Sequence, residues 1–232
     1  MLNHQELMQS HIEALFTHDA AGDLLRVNEP DGASAPRFFL GRTPHGAVLR
    51  YRHDVDHGSR AMLEAAARDD LRVARVFDAP LDPSRYADVL ARSATVQRVE
   101  AGPAFCCPLE LPAGPETTRV TETNAHILQA HLPEWISVVP CWQPMFALTV
   151  DGQAVSLCCS VRLTARAHEA GVETAPDYRG RGYVGYVVAA WARAVRAQHR
   201  VPLYSTSWTN EASRAVARKL GLFLFGSDLH LT

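Results

Sequence analysis

The residues with the clearest chemical content stand at positions 172–185: Val172-Glu173-Thr174-Ala175-Pro176-Asp177-Tyr178-Arg179-Gly180-Arg181-Gly182-Tyr183-Val184-Gly185. A strand-forming run leads into a turn with closely spaced glycines, and an apolar pattern of helical period follows. Glycine lets backbone amides approach a ligand closely. The unpaired amides and positive dipole end of a helix start bind anions, phosphate above all. Arg179 and Arg181 can add charge-assisted hydrogen bonds. From residue types alone, this is an anion or phosphate site at a strand-to-helix junction. The spacing differs from G-x-G-x-x-G with an acidic residue about 20 positions on, so a dinucleotide fold is poorly supported. No G-K-[ST] is present, which excludes a P-loop.

Composition permits a folded chain of one large or two small domains. The chain has 232 residues, 47% hydrophobic and 21% charged, enough for a real core. A net charge of -2 gives no global attraction to nucleic acid or anionic lipid, so neither is expected as a partner. Lys219 is the only lysine, so the positive charge is almost entirely arginine. No apolar stretch approaches the ~20 residues that span a bilayer. The start, Met1-Leu2-Asn3-His4-Gln5-Glu6, lacks a basic segment followed by an apolar run, and the expected location is the cytoplasm. The five cysteines at 106, 107, 141, 158 and 159 have no C-x-x-C spacing and read as buried free thiols.

The elements that must position the motif follow from periodicity. Helices are expected over 4–18, 58–69, 83–92 and 122–132. Strands are expected over 38–42 and 47–51, and again around 104–109. Pro108, Pro112, Gly114 and Pro115 mark a linker, which divides the chain into an N-terminal α/β region, residues 1–110, and a second domain, residues 115–232. Asp151-Gly152 between strand-formers signals a hairpin of 146–150 with 154–161. The strand 168–174 precedes the glycine turn. A long helix over about 182–199 has Val184, Val187, Val188, Trp191 and Val195 on one stripe. A strand at 203–207 follows, then a helix capped by Asn210 and ended by Gly221. Two closing strands, 222–225 and 229–231, are expected around a Gly226-Ser227-Asp228 turn.

Residues 115–232 resemble the GNAT superfamily of N-acetyltransferases. The family's pyrophosphate motif is Gln or Arg, two residues, Gly, one residue, then Gly or Ala. Here Arg179 and Gly182 match, and Val184 stands at the last position. The order of hairpin, strand, loop, long helix, strand and Asn-led helix is also similar, with Lys219-Leu220-Gly221-Leu222 at that helix's end. The resemblance implies an α/β fold with a mixed central sheet flanked by helices, and acetyl-CoA as cosubstrate with no metal.

It also implies roles for residues. Backbone amides near Val172 and Thr174 would hold the pantetheine and polarise the thioester carbonyl. Arg179, Gly180, Arg181, Gly182, Tyr183, Val184 and Gly185 would hold the pyrophosphate. Asn210 and Ser213 would lie near the pantetheine or the adenosine phosphate. The acetyl group would pass directly to a primary amine of a small molecule or peptide, with Glu173 or His168 taking the ammonium proton. Five residues apart, those two share a face only if their strand carries a bulge. The tyrosine that usually protonates the departing thiolate is replaced by Ala217, so Tyr183, Tyr186, Tyr204 or water would serve instead. The alternative function is a non-catalytic acyl-CoA-binding or sensing module.

Two other constellations are weighed against this. His53-Asp54-Val55-Asp56-His57 has metal-ligand residue types, but Gly58 follows, and Asp56 or Ser59 is expected to cap the next helix. Cys141 and the paired cysteines could supply a nucleophile only in a mechanism that direct transfer does not need.

Overall fold

The computed structural model describes residues 2–30, 32–73 and 77–232. In chain order the elements are α1 (His4–Leu15), β1 (Phe16–His18), β2 (Leu24–Val27), β3 (Phe38–Thr43), β4 (Gly46–Tyr51), α2 (His57–Val73), α3 (Ser84–Ala91), β5 (Val99–Cys106) and β6 (Thr118–Val120). Two 3-10 helices follow, η1 (Glu122–Leu128) and η2 (Pro133–Val138). Then come β7 (Met145–Val150), β8 (Gln153–Leu163), β9 (Ala167–Thr174), η3 (Pro176–Tyr178), α4 (Tyr183–Ala197), β10 (Val201–Ser205), α5 (Glu211–Lys219) and β11 (Phe223–Leu231).

The chain forms two compact units: Met1–Phe105 with Ser205–Arg214 and Leu224–Thr232, and Cys106–Tyr204 with Ala215–Phe223. The first unit therefore takes two C-terminal segments as well as the N-terminal region. Its strands run in the order β4-β3-β11-β5. Every residue of β3 is buried, because the sheet is covered on both faces. Phe38, Leu40, Leu229 and Leu231 join Leu63, Tyr86 and Leu90 of α2 and α3 in one core. The alternate residues meet α1, where His11 Nε2 lies 2.8 Å from Asp228 Oδ2, both groups buried. Asn3 opens α1 with reciprocal bonds to Glu6.

One expected turn does not form. Gly226-Ser227-Asp228 lies inside the continuous strand β11, with Ser227 opposite Arg42 and Asp228 opposite Gly41. Gly226 is there for space: a Cβ would run into the Arg42 carbonyl oxygen and Met8. Likewise the first helix stops at Leu15, since Phe16 and Thr17 pair with Val27 and Arg26.

The second unit has the expected mixed sheet flanked by helices, in the order β10-β9-β8-β7-β6. Asp151 and Gly152, both at positive φ, make the two-residue turn between β7 and β8. Helix α4 buries Val187, Val188, Trp191 and Val195. Its Arg196 reaches the carbonyls of Cys107 and Pro108 near the helix C-terminus, where positive charge is favoured. Where a helix was expected over 122–132, η1 and η2 stand instead, Pro133 opening the second. Leu128, Leu132, Val139, Leu157 and Cys159 pack in the core they share with the sheet.

The bulge that matters lies on β8. The register with β9 shifts between Ser160 and Arg162, leaving Val161 extra, while β9 runs regularly from His168 to Thr174. Gly171 makes room for it, since a Cβ there would collide with Val161 Cγ1. Gly171→Ala should therefore cost about 1–3 kcal/mol of unfolding free energy by overpacking. Val161→Ala in the same chain should recover most of it, as read by urea denaturation; an unrelieved loss in the double variant would contradict this packing.

Candidate functional site

Strand β9 carries the site because its two edges differ. Along β8 it is paired from His168 to Thr174. Along β10 the parallel pairing covers Val201 with Ala167, Pro202 with His168, and Leu203 with Glu169, and no further. Beyond Glu169, residues Ala170 to Thr174 are half-buried. Ala175 N–H donates to the Val155 carbonyl at 2.9 Å. Antiparallel alternation then turns the N–H groups of Val172 and Thr174 away from β8, toward the edge where β10 has diverged. A strand edge with outward amides is a template for an extended, hydrogen-bonding ligand.

Next along the chain is the glycine turn. Gly180 and Gly182 both have φ of 78°, in the left-handed region, and the space beside each is open. Gly182 is the N-cap of α4 and gives no side-chain cap, so no capping side chain competes for the first amides of the 15-residue helix. Both arginines of the turn are tethered. Arg179 Nε donates to the Thr174 carbonyl at 3.0 Å and its Nη2 to Glu173 Oε1 at 3.0 Å. Arg181 Nη2 donates to the Asp177 carbonyl at 3.0 Å, and its guanidinium lies 5.0 Å from the Tyr178 ring centroid. Val184 and Gly185 stand in the first helical turn, with Gly185 N–H on the Gly182 carbonyl at 3.1 Å. Residues 172–185 thus bring a polar strand edge, a carboxylate, two guanidiniums and a helix N-terminus together in one unit.

Glu173 and His168 are not brought together. Because β9 has no bulge, Glu173 shares a face with Gly171 and Glu169, opposite Leu157, Cys159 and Arg162. His168 lies on the other face, which α4 covers. Its ring is fully buried, with Nδ1 2.7 Å from Ser160 Oγ and Nε2 2.8 Å from Arg200 Nη1. Trp191 Nε1 donates to the same Ser160 Oγ at 2.9 Å. Arginine cannot accept, so Nε2 must be the bare nitrogen and Nδ1 carries the hydrogen. Burial, reinforced by Arg200, pushes the imidazole pKa down to about 4. His168 is a neutral clamp between β8, β9 and the residues after α4, with both nitrogens engaged.

Alternation along β9 shows a carboxylate that the motif reading passed over. Glu169, buried at 2% exposure, shares the Glu173 face and stands at the last register before β10 diverges. Asn210 and Ser213 belong to the first unit. There Asn210 Oδ1 accepts the Ser213 N–H at 3.0 Å and caps α5. Ala217 is fully buried, and the Leu222 N–H to its carbonyl helps close that helix. Tyr204 is buried one residue past the last paired register of β10, and the Tyr186 ring packs against Gly114.

The competing constellations are engaged in ordinary structural contacts. Asp54 pairs with Arg52, and Asp56 accepts from the Ser59 amide and hydroxyl. Among the described residues no group of three or more His, Cys, Asp or Glu is placed to hold a metal ion. Burial pushes the Cys106 thiol up to about 11 and raises those of Cys107, Cys158 and Cys159 as well. No helix among the described residues is long and apolar enough to cross a membrane.

Comparison with known proteins agrees with the geometry. Residues 146–225 match the family model for GNAT acetyltransferases. No curated protein matches the chain. Among solved structures, a GNAT-family structure from Novosphingobium aromaticivorans is 20% identical with a TM-score of 0.50, covering 59% of this chain. The match spans 65% of that chain, a little less than two thirds of its length. A GCN5-related N-acetyltransferase-like protein from Streptococcus suis is 15% identical with a TM-score of 0.50, over 99% of this chain and 100% of its own. A GNAT-family acetyltransferase from Colwellia psychrerythraea is 13% identical with a TM-score of 0.50, over 79% and 75% respectively. At these identities the structural matches speak to fold. The resemblance to the GNAT superfamily read from the sequence is met by the family model and by the fold.

The His168 clamp has a measurable consequence. Its folded-state pKa lies below the ordinary 6.5, so between pH 6.5 and about 4 the unfolded chain binds a proton that the folded chain refuses. Its contribution is fully present above that window and declines as pH falls through it, by at most about 1.4 kcal/mol per pH unit. His168→Gln should flatten the fall in stability from pH 6.5 to 4 in urea unfolding. An unchanged slope would contradict the assignment.

Proposed function

We propose that this GNAT-type chain is an N-acetyltransferase that moves the acetyl group of acetyl-CoA to a primary amine of a small molecule or peptide by direct attack. The observation that carries this reading is the separation of β10 from β9 after three paired registers, directly before an uncapped, glycine-flanked helix N-terminus. The residues fit the donor. An extended amide-bearing pantetheine matches a strand edge with outward N–H groups at Val172 and Thr174. A pyrophosphate matches the amides of Gly180 to Val184 with Arg179 and Arg181 beside them. The match to the GNAT family model supports acetyl transfer as the reaction class.

The acceptor nitrogen attacks the thioester carbonyl carbon, forming the C–N bond as the C–S bond breaks. The N–H groups along β9 are fixed donors for negative charge growing on the carbonyl oxygen, and fixed donors need no reorganisation as that charge appears. Glu173 takes the ammonium proton, directly or through one water. His168 is not a second base in this scheme, since neither nitrogen is available. The thiolate of coenzyme A leaves as such or takes a proton from water, as Ala217 offers none.

The buried Ala217 also gives the second reading its one support: a domain that binds acyl-CoA without turning it over. Thiol release on incubation with acetyl-CoA and a panel of amines and amino acids separates the two. Amine-dependent release is expected, and Glu173→Gln should lower kcat/KM about 10²–10⁴-fold. Stabilisation by coenzyme A without amine-dependent release would favour the binding module. Unchanged kcat/KM in Glu173→Gln across pH would remove Glu173 as the base.

A further inference from the structure

Glu173 occupies the groups that the proposed donor needs. Its Oε1 accepts the Thr174 N–H at 3.1 Å, the same amide that alternation turns toward the diverged edge. The same oxygen accepts Arg179 Nη2 at 3.0 Å, while Arg179 Nε holds the Thr174 carbonyl at 3.0 Å. One carboxylate oxygen thus satisfies a strand-edge donor and a cation of the glycine turn. The side chains are 61% exposed for Arg179 and 36% for Glu173, so the contact is a weak, readily exchanged one. A pyrophosphate offers a guanidinium several oxygens and more than one negative charge, and outcompetes a single carboxylate oxygen.

We propose that Glu173 is an internal stand-in for the donor: it holds Arg179 and the Thr174 amide in the free protein, and acetyl-CoA takes both from it. This rests on the acetyltransferase reading above. Displacement turns the freed carboxylate into an acceptor for the amine's proton only once the donor is seated. Without the donor, an amine meets a base still held by Arg179. Arg179 acts through Glu173 and the phosphate, as a positioning residue.

Titration calorimetry with coenzyme A on the full chain tests the exchange through a double-mutant cycle of Glu173→Gln and Arg179→Gln. In the parent protein, Glu173→Gln weakens the internal hold and should tighten coenzyme A binding about threefold, the size of one exposed ion pair. With Arg179→Gln already present, the same substitution should change affinity little. Equal tightening in both backgrounds would mean simple charge repulsion and overturn the exchange, as would unchanged or weaker binding in Glu173→Gln alone. Additive effects with firm coenzyme A binding would remove only this inference. No binding of coenzyme A to the parent protein would remove the acetyltransferase reading itself.

Discussion

Strand β9 is hydrogen-bonded to β8 along its length and to β10 over its first three residues only. That asymmetry is the constraint on which the site depends. Buried backbone amides left without partners are costly, and native chains seldom tolerate them. Ala170 to Thr174 are half-buried, and at Thr174 the N–H and carbonyl are held by the Glu173 and Arg179 side chains instead of a neighbouring strand. Contacts on the other side of the strand keep this edge straight. The extra residue of the β8–β9 ladder is Val161, on β8, and Gly171 yields the space it needs. The His168–Ser160–Trp191 contacts and Arg200 fix β9 to β8 and α4 below the point of divergence. The side that must stay open is braced from the side that need not.

The charges follow the same division. On the α4 face of the sheet sits a histidine kept neutral by burial and by Arg200. On the opposite face lie Glu173 and Glu169. A strand therefore separates an inert clamp from the carboxylates by nothing more than the two-residue period of its side chains. The helix that follows adds a third field, positive at its N-terminus, next to two arginines already fastened to carbonyls and to Glu173.

Local chemistry was readable where one residue type has one structural use. Asp151-Gly152 announced its hairpin, and the glycine turn into α4 announced its helix start. Gly226-Ser227-Asp228 has the composition of a turn, yet β3 and α1 hold it in a strand, a tertiary effect that no local pattern contains. The candidate site divides the same way. Residues 172–185 are contiguous, so their order already placed them together. The face of His168 depended on whether β9 or β8 carried the bulge, and only the ladder tells that. Glu169 was open to discovery by the two-residue period from Glu173 but carries no motif. The C-terminal strand 223–231 pairs with β3, so the units interleave along the chain and no single cut at the proline-rich linker divides them.

A structure of the chain with coenzyme A bound bears most directly on the open edge. It should show pantetheine amides bonded to the backbone of Ala170 to Thr174 and the pyrophosphate on the amides that follow Arg179. Coenzyme A bound elsewhere, or β10 closed onto β9 along Ala170 to Thr174 in its presence, would contradict the role given to that edge.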